Sequence, residues 1–111
     1  MVLNRDSILQ ALDLKREVVE VPEWGGTVIL TELSAADRLK FGAAMGGKDD
    51  QRVFVAKALT WFIVDEGGDR IFTEDDADML AGKSLPVLQR LWDVAAKLNA
   101  MKTEGDDEVK N

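Results

Sequence analysis

The chain is 111 residues long, 46% apolar and 32% charged, with a formal net charge of −7. That is enough for one globular domain with a real core and too balanced for a disordered chain. It contains neither Cys nor His, so disulfides, thiolate or imidazole zinc sites, Ser-His and Cys-His nucleophile pairs and histidine switches are all excluded. Binding to nucleic acid or to an anionic membrane rests on clustered Lys and Arg, which an acidic chain of this kind lacks. The start, Met1-Val-Leu-Asn-Arg-Asp6, has no apolar run after a basic end, so no signal peptide is expected and the cytosol is the default.

In chain order, Ser7–Leu14 reads as a short helix with Ile8, Leu9, Ala11 and Leu12 as its apolar positions. Arg16-Glu-Val-Val-Glu-Val-Pro22 is β-branched and ends in proline, as a strand does when its next N–H is missing. Glu23-Trp-Gly-Gly26 supplies a turn, and Thr27-Val-Ile-Leu-Thr-Glu-Leu33 the return strand. This hairpin is the only β structure expected, and it must lie on helices to be stable. Ser34-Ala-Ala-Asp37 is a helix start with a hydroxyl cap, and that helix runs to about Met45 before Gly46-Gly47. Lys48-Asp49-Asp50 is then a loop.

Val53–Val64 has only Lys57 and Thr60 as polar residues. A helix apolar nearly all round is either buried or membrane-spanning. Twelve residues rise about 18 Å against a hydrocarbon layer of roughly 30 Å, so a central core helix is expected. Asp65–Arg70 forms a turn, Ile71-Phe72 a short apolar contact, and Thr73-Glu-Asp-Asp76 caps a helix to Ala81 that closes at Gly82. Ser84 is read as the cap of the last helix, with Pro86 in its first turn and a buried stripe of Leu88, Leu91, Trp92, Ala95 and Leu98. Residues 102–111 hold six charged side chains and one apolar one, Val109, and read as a disordered tail after a single domain over 1–101.

Three patterns invite a chemical reading. Gly82-Lys-Ser84 matches the end of a phosphate-binding loop, but Ala77 stands where the leading glycine belongs and no strand leads in. Asp65–Asp76 has the length of a calcium loop, but Gly67 and Arg70 occupy positions that need an oxygen ligand and a glycine. The seven acids between Asp65 and Asp78, set against Arg70 alone, could supply a carboxylate pair, yet a solvated turn gives no reason for a shifted pKa. No catalytic, cofactor or metal residues are therefore assigned. Trp61 and Trp92 read as core residues, whereas Trp24, at a hairpin tip, either folds back onto a helix or anchors a partner.

Val19-Glu-Val-Pro-Glu-Trp-Gly-Gly26, the Leu33-Ser-Ala-Ala-Asp-Arg38 helix start, Val64–Leu80 and Gly82–Asn99 occur in an order that resembles the tail assembly chaperones of long-tailed bacteriophages and prophages. The resemblance spans about Val18 to Asn99. It implies a non-enzymatic chaperone that coats the long, apolar, helical tape measure protein and keeps it soluble in the host cytoplasm. It also implies absence from the mature virion, and in frameshifted relatives an added region that recruits the tail tube protein; ending at Asn111, this chain would be the short form. No residue role is carried over from the family.

The expected architecture is thus helix-rich α+β, an N-terminal two-stranded hairpin on a bundle of about four helices. Trp24, Val28, Leu30, Leu39 and Phe41 are expected to form the client or self-association surface, because the chain has more apolar positions than one small core requires. A structural tail component and an acidic interaction module, including a nucleic-acid mimic, are the alternatives.

Overall fold

A computed structural model describes residues 1–46 and 51–101. The expected loop at Lys48–Asp50 and the charged tail from Lys102 lie outside the described residues. Helix α1 spans Arg5–Gln10, earlier than the apolar spacing suggests, because the Asn4 side chain accepts the Ser7 N–H at 2.9 Å and so sets the helix start. It ends where Ala11 turns extended, and none of its residues is buried.

Strands β1 (Arg16–Val21) and β2 (Gly26–Thr31) pair antiparallel, with Val19 opposite Val28 and Glu17 opposite Leu30. Pro22–Trp24 makes one tight 3₁₀ turn between them, closed by Gly25 at φ +76°, whose N–H donates to the Pro22 carbonyl. Helix α2 covers Ala35–Met45, and Ser34 accepts the Asp37 N–H at 3.2 Å as its cap.

The central apolar run departs from expectation. Helix α3 is Gln51–Leu59 only, and Ile63–Val64 form a third strand, β3, against Ile29 and Leu30 of β2. The two-stranded hairpin is therefore the outer part of a three-stranded antiparallel sheet in the order β1-β2-β3. The cause is local. The Thr60 hydroxyl donates to the Lys57 carbonyl at 2.6 Å, and Trp61 and Phe62 donate three residues back rather than four, which tightens and ends the helix. β-Branched Ile63 and Val64 then enter the sheet, with the Phe62 carbonyl accepting the Thr31 N–H at 3.0 Å.

The Asp65–Arg70 turn brings Arg70 back opposite Val64, with Gly68 at φ +91°. The Arg16 guanidinium lies against Gly68 and donates to the Glu66 carbonyl, tying the start of β1 to this turn. A 3₁₀ turn, Glu74–Asp76, leads into α4 (Ala77–Leu80), its entry fixed by the Thr73 N–H on the Asp76 carboxylate at 2.9 Å. Helix α5, Leu85–Leu98, begins after Ser84, but the Ser84 side chain makes no capping bond; the Pro86 φ restriction and the Leu88 N–H to Ser84 carbonyl bond define that end.

Core residues come from every layer: Val21 and Leu30 of the sheet, Phe41 of α2, Ala56 and Leu59 of α3, Phe62 and Ile63, and Leu88, Leu91 and Ala95 of α5. Trp61 is buried and Trp92 half-buried against this core, as the apolar spacing anticipates. Helix α5 ends in a Schellman arrangement, with Met101 donating to Ala96 at 2.7 Å and Ala100 to Lys97 at 3.1 Å. Ala100 takes φ +55°, a left-handed conformation that crowds its Cβ. Ala100→Gly relieves that crowding against a partly offsetting gain in unfolded-state entropy, so a stabilisation of about 0.5–1 kcal/mol is expected. Urea unfolding reads it directly; an unchanged midpoint would mean that Ala100 carries no strain.

Candidate interaction surface

The polar patterns singled out in the sequence are occupied by structure. One oxygen of Asp65 accepts the N–H groups of Gly67 and Asp69 at 2.9 and 3.0 Å, so this carboxylate organises its own turn. Arg70, although exposed, lies back over the chain, donating to the Thr60 carbonyl at 2.8 Å and lying 4.1 Å over the Trp61 ring. Among the described residues no group of three or more Asp and Glu side chains is placed to hold a metal ion. Gly82-Lys83-Ser84 is a corner between α4 and α5, with the Gly82 and Lys83 N–H groups spent on the Met79 and Leu80 carbonyls.

Apolar exposure is concentrated elsewhere. Residues 1–14 carry Val2, Leu3, Ile8, Leu9, Leu12 and Leu14 exposed, on a segment that buries nothing in its own helix. Leu39 projects from α2 at 78% exposure, and Met79 and Leu85 flank the α4–α5 corner in the same state. Trp24 is 37% exposed at the hairpin tip, and Val28 is half-buried in β2. Among the described residues no helix is long and apolar enough to cross a membrane.

Leu30 and Phe41 require correction as surface residues. Leu30 is 0% and Phe41 5% exposed, and the Phe41 ring meets Phe62 and Trp61 edge-on at 5.1 and 6.1 Å. The alternation of β2 sends Leu30 inward beside Ile63 of β3, a strand that the sequence reading did not include. The five residues thus divide: Leu30 and Phe41 belong to the core, while Trp24, Leu39 and part of Val28 reach solvent. The exposed N-terminal residues are not legible as a surface in the sequence, because their apolar spacing reads equally well as a buried helix face.

The hairpin tip is held by charge. Arg90 of α5 grips the Glu23 carboxylate with two hydrogen bonds, at 2.9 and 3.1 Å. Those bonds hold the Glu23 carboxyl below the usual glutamate range, and the same pairing raises Arg90. A lowered folded-state pKa means that the tether is complete above the ordinary glutamate range and lost as pH falls through the lowered value. An NMR titration of Glu23 is expected to show a midpoint below ordinary glutamate in the native chain and a higher one in Arg90→Gln. Equal midpoints would show that the pair does not form in solution.

A family model described as phage tail assembly chaperone matches residues 5–110, nearly the whole chain. The chain belongs to the phage tail assembly chaperone family. The solved structure of the bacteriophage HK97 tail assembly chaperone is similar in fold, with a TM-score of 0.60 and 21% identity over 88% of this chain and 95% of that one. No curated protein matches at a significant level. Family membership places this chain among phage assembly factors, which work through other proteins of the tail.

Proposed function

We propose that this tail assembly chaperone is a non-enzymatic holdase for the phage tape measure protein in the host cytoplasm, released before the virion is complete. The observation that carries the reading is the combination of family membership with apolar side chains left uncovered on a chain of net charge −7. Apolar surface grips an aggregation-prone client, and net charge keeps the complex dissolved. A long helical client offers apolar side chains at i, i+3, i+4 and i+7, which a helix face can accept. Leu39 on α2 and Trp24 at the clamped tip are the contact residues in this reading, and an extended form of the chain would add contact with the tail tube protein.

The test uses the full chain with tape measure protein expressed alongside. Leu39→Glu and Trp24→Ala should keep the native circular dichroism, because both side chains are exposed, and should lower the soluble client several-fold. Undiminished solubilisation by both variants would remove these residues from the contact surface. Detection of the chain in purified virions would favour a structural tail component instead.

A further inference from the structure

The hairpin tip extends beyond the core. Val21, the last residue of β1, is fully buried in the cluster that Val87 and Leu91 of α5 share, but none of Pro22, Glu23 and Trp24 is buried. On the far side of the turn, neither Gly25 nor Gly26 has an atom within 4 Å of where a Cβ would lie. Among the described residues, the side-chain hydrogen bonds that join this tip to another element are the two from Arg90 to Glu23.

Arg90 has a nearer acid in its own helix, since Asp93 lies three residues on, a usual spacing for a helical ion pair. In the structure Asp93 accepts instead from the Gln89 amide at 3.1 Å, and both arms of the Arg90 guanidinium go to Glu23, 67 residues away in the chain. Two parallel N–H···O bonds fix the carboxylate in direction as well as in distance. With both side chains about half exposed, such a pair adds little to the stability of the whole fold. What it restricts is the turn. Glu23 is the middle residue of the 3₁₀ turn Pro22–Trp24, and Pro22 already has its φ set by its ring. Holding Glu23 therefore sets the direction in which the adjacent Trp24 side chain leaves the backbone.

We infer that Arg90 is a positioning residue: by gripping Glu23 it holds the neighbouring Trp24 ring in one orientation at the hairpin tip, ready for an apolar side chain of a helical client. The client half of this inference rests on the holdase reading; the fixed ring rests on the geometry alone. A ring held in place before binding loses less freedom when its partner arrives, and that lets one partly exposed aromatic act as an anchor. Arg90 thus strengthens client binding without being in contact with the client.

In the full chain without client, NMR relaxation of the Trp24 indole N–H reads the ring directly, with Trp61 and Trp92 as internal references. Native Trp24 is expected to be nearly as ordered as Trp92. In Arg90→Gln it should become markedly more mobile while Trp61 and Trp92 stay unchanged. The swapped pair Glu23→Arg/Arg90→Glu should restore the order, and Lys97→Gln, the same loss of charge on the same helix, should leave it unaltered. With coexpressed tape measure protein, Arg90→Gln should lower the soluble client several-fold and the swapped pair should recover most of it. Adding Arg90→Gln to Trp24→Ala should lower it no further, because the arginine acts through that ring. A native Trp24 as mobile as in Arg90→Gln, a swap without rescue, or losses that multiply in the double variant would overturn the proposal. A client that the native chain itself fails to hold would count against the holdase reading instead, and the relaxation measurements would still decide whether Arg90 fixes the ring.

Discussion

Asn99→Ala is expected to lower unfolding stability by about 3 kcal/mol, far more than a surface change at a helix end. Asn99 is buried, and all of its side-chain polarity is engaged. Its Oδ1 accepts the Leu33 N–H at 2.7 Å, and its Nδ2 donates to the Thr31 carbonyl at 3.2 Å and the Ala95 carbonyl at 2.9 Å. Its own carbonyl accepts from Arg38 of α2 at 3.3 Å. One side chain therefore joins the end of β2, the link into α2 and the last turn of α5. Alanine would leave buried backbone groups unpaired, each worth about 1–3 kcal/mol of desolvation. Asn99→Asp is the sharper variant: at neutral pH it replaces the amide donors with a carboxylate facing two carbonyls, and the loss should shrink as acid protonates it. Urea unfolding of both variants checks this; a loss below about 1 kcal/mol in Asn99→Ala would show that water replaces the network at little cost.

Phe62→Ala is expected to be comparably damaging, at about 3–5 kcal/mol. The ring is fully buried, edge-on to Phe41 at 5.1 Å and to Trp92 at 5.9 Å, at the point where α3 gives way to β3. Truncation removes contacts with α2 and α5 together and leaves a cavity where the sheet meets the helices. Against a typical total of roughly 5–15 kcal/mol, the variant stands near the edge of folding. Phe54→Ala is the control: that ring touches Trp92 at 6.2 Å but is 37% exposed, so about 1 kcal/mol is expected. Equal losses in the two variants would contradict the placement of the core at Phe62.

The same stretch shows how far sequence reading reaches. Strands β1 and β2, the Ser34 cap and the α5 stripe are periodic or carry capping residues, and such signals act within a few positions. Val53–Val64 carries no period at all, and a buried helix and a buried strand look alike in such a run. What separates them is Thr60, whose hydroxyl competes for a helix carbonyl, and the open edge of β2, which is a tertiary fact. Leu30 and Phe41 read as surface in the sequence for that reason: without β3 the inner face of the hairpin has no visible cover. Asn99 carries no signal in the sequence, because a polar residue at a helix end reads as solvated until its partners at Thr31 and Leu33 are known.

The surface was only partly legible. Trp24 drew attention by its place in the turn, and the structure leaves it partly open beside the Glu23–Arg90 clamp. Exposed Leu39 was among the expected contacts, whereas the N-terminal apolar residues looked like an ordinary amphipathic helix. Apolar periodicity reports that a face wants cover and is silent on whether its own chain supplies it.

The central claim, that this chain works by holding another polypeptide, is tested most directly by expressing the tape measure protein with and without it and measuring the soluble fraction. Our account predicts a largely insoluble client alone, and a soluble one that copurifies with the full chain as a stable complex. A tape measure protein equally soluble in both cases, with no complex on gel filtration, would contradict it.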